Sequence, residues 1–178
     1  MTILIPQPLT DSKAFRTTLG CFPTGVAIVT TLSETGAPVG LTISSFNSVS
    51  LAPPLILWSL ARSSECLDDF QARRGFAINI LSADQTDLCN RFASAHDYRF
   101  DGISWAASAE GLPVLNDIAA VLICETHAVH DGGDHEIYLG KVISHADTKN
   151  TPYGLCERGD NPARIKTIGV FFYLIYLS

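Results

Sequence analysis

Gly40 to Leu51 read GLTISSFNSVSL, and behind them come Ala52, the pair Pro53-Pro54 and the apolar run Leu55-Ile56-Leu57-Trp58-Ser59-Leu60. β-branched residues and hydroxyls bounded by a glycine and a proline pair disfavour helix. They predict two strands joined by a short polar turn. Thr42, Ser44, Ser45, Asn47, Ser48 and Ser50 gather small donors and acceptors beside an apolar strand, which suits a flat, partly polar ligand better than a plain core.

On the N-terminal side, VAIVTTL (26 to 32) reads as a strand, and Glu34 to Pro38 carry the glycine and proline of a hairpin loop, so Val39 opens an antiparallel return strand. Before them, Asp11 or Ser12 caps a helix with Phe15, Leu19 and Phe22 at helical spacing, closed by Gly20 to Pro23. Residues 1 to 9 hold two prolines and no period, and read as an extended arm.

On the C-terminal side, Ser63-Ser64-Glu65 is expected to start a second helix, with acids first and Arg73-Arg74 before Gly75. FAINIL (76 to 81) is a strand, and Ser82 to Gln85 form an S-x-x-Q capping box opening a third helix that carries Leu88 and Phe92. A short strand is expected over Asp101 to Trp105, a turn at Gly111 to Pro113 and a long strand over Ala119 to Val129. A polar hinge, HDGGDH (130 to 135), then leads into a last strand, Glu136 to Ser144. Strand and helix stop alternating in the second half, so the pattern fits a mainly β (α+β) antiparallel barrel with a few short helices, not a doubly wound sheet.

The 178 residues, 47% of them apolar, fit one domain spanning 1 to 178, with a core over about 15 to 160 and a tail over 161 to 178. A net charge of −6 argues against the attraction to phosphate backbones that nucleic-acid binding needs. The five cysteines are widely spaced with no C-x-x-C, and Cys66, Cys89 and Cys124 fall in apolar periodic segments. They read as buried free thiols of a cytoplasmic protein. The N-terminus lacks the pattern of a signal peptide, and the run VFFYLIYL (170 to 177) is much shorter than the ~20 residues of a membrane span. It reads as a buried strand or a subunit contact.

No P-loop, G-x-G-x-x-G, G-x-S-x-G or H-E-x-x-H pattern occurs. His127, His130 and His135 lie at a spacing that sends the first two to opposite faces of a strand, so no metal site is expected from them. In Gly132-Gly133-Asp134-His135 the glycines permit close backbone approach and His135 stands at the mouth of the next strand, placed to donate a hydrogen bond. Ser63 and Ser64 read either as an anion site at a helix start or as a plain N-cap, and the local sequence favours the N-cap. Arg62 and Arg91 are the candidate cations beside it.

Taken together, FPTGVAIVTT (22 to 31), GLTISSFNSVSLAPPLILWSL (40 to 60), FAINILSADQ (76 to 85), RFAS (91 to 94) and HDGGDHEIYLGKV (130 to 142) strongly resemble the flavin reductase-like family. These are reductase components of two-component flavin monooxygenases. The resemblance covers about Phe15 to Ser144 and implies an FMN-binding split barrel that is homodimeric. It implies reduction of FMN or FAD by NADH or NADPH, with the reduced flavin passed to a separate monooxygenase. Carried over, Thr42, Ser44, Ser45, Phe46 and Asn47 run along the flavin ring, Trp58 and Ser59 flank ring and ribityl chain, and Pro23 approaches from below. Ser63, Ser64 and Arg91 take the phosphate, which raises the anion-site reading above the N-cap. Gly133, Asp134 and His135 line the nicotinamide side, with His135 as the catalytic candidate that orients the pyridine nucleotide. A non-catalytic flavin-binding split barrel and a pyridoxamine-phosphate-oxidase-like oxidase are the alternatives. The stretch Pro152 to Asp160 departs from the family, whose usual terminal aromatic is here Asp160.

Overall fold

Period-2 apolar runs become strands almost where the sequence predicts them. The structure is a computed structural model and describes residues 3–6, 8–94 and 99–153. In α1 (Ser12–Leu19), Asp11 caps the helix by accepting the Lys13 and Ala14 N–H groups. There follow β1 (Ala27–Leu32), β2 (Pro38–Ile43), β3 (Asn47–Leu51), β4 (Pro54–Ala61), α2 (Leu67–Ala72), β5 (Gly75–Ile80) and α3 (Thr86–Ala93). A two-stranded ribbon of β6 (Trp105–Ala107) and β7 (Pro113–Leu115) precedes the long strands β8 (Ala120–Asp131) and β9 (His135–Asp147).

Seven strands form one antiparallel sheet in the order β2-β1-β5-β8-β9-β4-β3. The sheet's two edges, β2 and β3, are consecutive in the chain, joined only by Ser44, Ser45 and Phe46. From Ile43 to Asn47 the backbone reaches at most about 14 Å. The sheet must therefore curl until its edges nearly meet.

Inside the curl, alternate residues of each strand pack together. Trp58 stacks on Tyr138 with ring centroids 4.8 Å apart, and Phe70 and Phe76 meet the indole edge-on at 5.0 and 5.5 Å. Ala27, Val29, Ile43, Ile56, Leu60, Cys66, Ile78 and Cys124 complete this cluster of buried residues. A second cluster, with Ile28, Leu81, Cys89, Phe92 and Leu115, packs α3 and the ribbon on the outer face. Buried Asn79 fixes the ribbon there: its Nδ2 donates to the Ile28 carbonyl and to Thr30 Oγ1, and its Oδ1 accepts the Leu115 N–H. All its polar atoms are satisfied, as burial requires.

Three local expectations are corrected. The second helix starts at Leu67, not Ser63, because two successive turns, closed by the Ser64 N–H on the Ala61 carbonyl and the Leu67 N–H on the Ser64 carbonyl, precede it, and the Ser64 hydroxyl accepts the Cys66 N–H and competes with helix. The strand expected over Asp101 to Trp105 begins only at Trp105, since Gly102 adopts φ +69° in a turn. The hinge is shorter than HDGGDH: β8 continues through Asp131, and Gly132-Gly133-Asp134 alone make the hairpin loop, with Gly133 at φ +79°. The capping box forms in half, Gln85 Oε1 accepting the Ser82 N–H while the Ser82 hydroxyl turns to the Asp117 carbonyl. Cys66, Cys89 and Cys124 are buried free thiols, as expected. Pro152 bridges to Ser82, and Tyr153 donates its N–H to the Leu81 carbonyl. The rest of the divergent stretch and the run 170–177 lie outside the described residues.

Gly140 in β9 shows how tightly the layers meet, because a Cβ there falls 2.5 Å from Phe76 Cζ and 3.1 Å from Cys124 Cβ. Gly140→Ala is expected to destabilise the fold by about 1–3 kcal/mol through overpacking, read as a lower urea midpoint at unchanged m.

Candidate functional site

Strand alternation decides what faces outward from β4 and β9. In their register Trp58 lies opposite Tyr138, Ser59 opposite Ile137 and Ala61 opposite His135. Trp58 and Tyr138 point into the core, so Ser59, Ala61, Ile137 and His135 share the other face. That face is one wall of a cleft of about 490 Å³, within the range of small-ligand sites.

The opposing wall is the edge strand β2, where three successive residues, Leu41, Thr42 and Ile43, line the cleft. Consecutive residues line it because the cleft runs along an open strand edge, where both side-chain faces are reached. Ser44 and Ser45 of the β2–β3 turn, Ser63 to Glu65, Phe92 and Ala93 at the end of α3, Arg99 and Gly132 complete the lining.

The hydroxyls divide into structural and available ones. Thr42 Oγ1 donates to the Cys89 carbonyl at 2.8 Å, tying β2 to α3. Ser45 Oγ accepts the Ser59 N–H at 2.9 Å and donates to the Ser59 carbonyl at 3.3 Å, docking the turn onto β4. Ser44 and Ser59 hydroxyls make no hydrogen bond among the described residues, and both face the cleft.

Arg99, which local sequence reading missed, is the one arginine lining the cleft among the described residues. Its side chain is only 15% exposed. Nε donates to the Ser94 carbonyl, Nη1 to the Gly40 carbonyl and to Cys66 Sγ, and Nη2 lies 3.7 Å from Glu65 Oε2. Burial pushes the Cys66 thiol up, and the Arg99 charge partly offsets this. Burial likewise lifts the Cys89 thiol to about 12.

At the hairpin, His135 Nδ1 lies 2.7 Å from Asp134 Oδ1, and this contact holds the exposed Asp134 carboxyl below the ordinary range. Of the residues singled out from sequence, Thr42, Ser44, Ser45, Ser59, Ser63, Ser64 and His135 converge on this one cleft. Several others do not. Trp58 is fully buried, on the face opposite Ser59. Phe46 packs against the core cluster. Arg91 is turned to the Arg99 and Asp101 carbonyls, and Arg62 to the hairpin's acids. Pro23 and Asn47 are exposed outside the cleft, while Gly133 and Asp134 form the hairpin tip beside it. Alternation alone separates Trp58 from Ser59, whereas Arg99 sits in a loop with no periodic signal.

The flavin reductase like domain matches residues 19–162 of the chain. An FMN reductase (NADH), SmoA, of Agrobacterium fabrum is 44% identical over 84% of this chain and 83% of its own length. The reductase subunit HsaB of a flavin-dependent monooxygenase from Rhodococcus jostii is 38% identical over 84% of this chain and 76% of its own. A probable flavin reductase of Rhizobium meliloti is also 38% identical, and there the chain spans 48% of the relative's length. Among solved structures, the NADH:FAD oxidoreductase SgcE6 of Streptomyces globisporus in complex with NAD and FAD fragments superposes at a TM-score of 0.75. It has 35% identity and covers 83% of this chain and 90% of that one.

Because the Ser45 hydroxyl closes the β2–β3 turn through two hydrogen bonds, Ser45→Ala is expected to lower stability by about 1–2 kcal/mol. Chemical denaturation measures the loss.

Proposed function

The chain belongs to the flavin reductase like family, and from that membership and its cleft we propose that it is an NAD(P)H:flavin oxidoreductase. It takes hydride from NADH or NADPH, delivers it to FMN or FAD, and supplies the reduced flavin to a separate monooxygenase component. The observation that carries this reading is the meeting, in one cleft, of the Leu41 to Ser45 edge, Ser59, Arg99 and His135. A relative named as an FMN reductase (NADH) and another named as the reductase subunit of a flavin-dependent monooxygenase support it.

The residues present fit a flavin. Leu41, Ile43, Phe92 and Ile137 offer apolar walls to a planar ring, the Ser44 and Ser59 hydroxyls offer donors and acceptors to its polar edge, and Arg99 with Ser63 and Ser64 suits the phosphate. When bound, flavin supplies the hydride-accepting chemistry. The chain supplies orientation and exclusion of water, and stacking two rings in register is worth up to roughly ten kcal/mol. In this reading His135, its ring oriented through Nδ1 by Asp134, holds the pyridine nucleotide. Arg99 replaces Arg91 as the phosphate partner, and Ser59 without Trp58 contacts the ring.

We read the curled sheet with β2 and β3 as its edges as a split barrel, and the chain as a single domain. A homodimer is supported by the N-terminal segment: α1 buries none of its residues, Phe15 and Leu19 are 46% and 40% exposed, and Ile3, Leu4 and Ile5 are exposed before them. Among the described residues no helix is long and apolar enough to cross a membrane. The buried free thiols suit a cytoplasmic setting.

Anaerobic mixing of the protein with NADH and FMN or FAD is expected to bleach the flavin absorbance, and no flavin-dependent NADH consumption overturns the reading. In the same assay His135→Ala is expected to raise the KM for NADH or lower kcat with flavin binding nearly intact. Arg99→Ala is expected to weaken flavin binding by about tenfold or more, as loss of a charge-assisted contact does.

A further inference from the structure

Arg62 stands at the end of β4, outside the cleft lining, yet more of the hairpin's order converges on it than on any other side chain there. Its backbone N–H donates to the Asp134 carbonyl at 2.9 Å. Its guanidinium divides among separate acceptors: Nε to the Gly133 carbonyl at 3.0 Å, Nη1 to Glu136 Oε1 at 3.0 Å, and Nη2 to Asp131 Oδ1 at 2.9 Å. These acceptors surround His135 in sequence on both sides.

The partners differ in weight. Asp131 is exposed, and a pair with it alone is screened by solvent. Glu136 is buried, and its carboxylate also accepts from Gln71 Nε2 at 3.0 Å and from Tyr138 Oη at 3.1 Å. Tyr138 stacks on Trp58 in the core. A chain of contacts thus runs from the aromatic core through Glu136 and Arg62 to both flanks of the loop. Gly132 and Gly133 give that loop little stiffness of its own.

We propose that Arg62 is a positioning residue for the pyridine-nucleotide substrate: it clamps the Asp131–Glu136 hairpin so that His135 is held at the cleft wall. It does so without touching the ligand. This assignment rests on the oxidoreductase reading above. It also predicts that lysine replaces arginine only in part, because one ammonium on a flexible stem cannot reach three acceptors set apart as a planar fork reaches them.

The test compares Arg62→Ala, Arg62→Lys and Asp131→Asn with wild type, measuring NADH KM, kcat, flavin Kd and amide exchange over residues 131–136. Arg62→Ala is expected to raise the NADH KM or lower kcat by about tenfold in total, since small misplacements of orienting groups have effects of this order. Flavin Kd should stay within about twofold, because Arg62 itself does not line the cleft. Arg62→Lys should fall between wild type and Ala, and Asp131→Asn, which removes only the exposed partner, should change NADH use by about threefold or less. Hairpin amide exchange should quicken in the order of kinetic loss. Equal loss of flavin and NADH binding, or unchanged NADH kinetics in a folded Arg62→Ala protein, overturns the proposal. If Arg62→Ala does not fold, Arg62→Lys carries the test, and wild-type NADH kinetics in it overturns the assignment. A wild-type protein that never oxidises NADH overturns the functional reading itself, and the exchange data then show separately whether Arg62 clamps the hairpin.

Discussion

Three residues, Ser44 to Phe46, connect the two edges of a seven-stranded sheet, and that short span governs the rest of the molecule. A flat sheet of that width cannot satisfy it. Curling brings β2 and β4 to face each other across a gap, the paired Ser45 hydroxyl secures the turn, and the edge strand β2 becomes one wall of the cleft. The cleft is therefore a product of chain connectivity before it is a product of any particular side chain.

Within that frame, polar groups do two distinct jobs. Thr42, Ser45, Asn79 and Glu136 are buried or half-buried and bonded to protein, and they fix where elements sit. Ser44, Ser59 and His135 line the cleft and are placed by them. A relative is named an FMN reductase, and among the described residues the cleft is lined chiefly by hydroxyls and apolar side chains, with one guanidinium, that of Arg99.

Much of this was legible in the sequence. Period-2 runs located most of the principal strands, the Asp11 cap and the half-formed Ser82–Gln85 box marked helix starts, and the 40–51 block did contain the cleft's edge. What escaped depended on three-dimensional context. Asp68 and Asp69 do lie in the first turn of α2, but Glu65 falls before it, because the turns closing after Ala61 delay the helix to Leu67. Trp58 and Ser59 were read together although alternation separates them. Arg91 lies outside the cleft lining and Arg99 within it, because the helix presents Arg91 to its own loop's carbonyls, whereas Arg99 returns across β2, a long-range contact with no local signature.

The Arg99–Glu65 contact has a further physical meaning. Glu65 is 64% exposed and 3.7 Å from the guanidinium, so it acts as a tethered counter-ion that swings away at little cost. On the proposed reading, a phosphate arriving at Arg99 would displace a carboxylate of the protein itself instead of a salt anion from solution. Such binding would be an internal ion exchange, depending less on ionic strength than attraction to a bare guanidinium does.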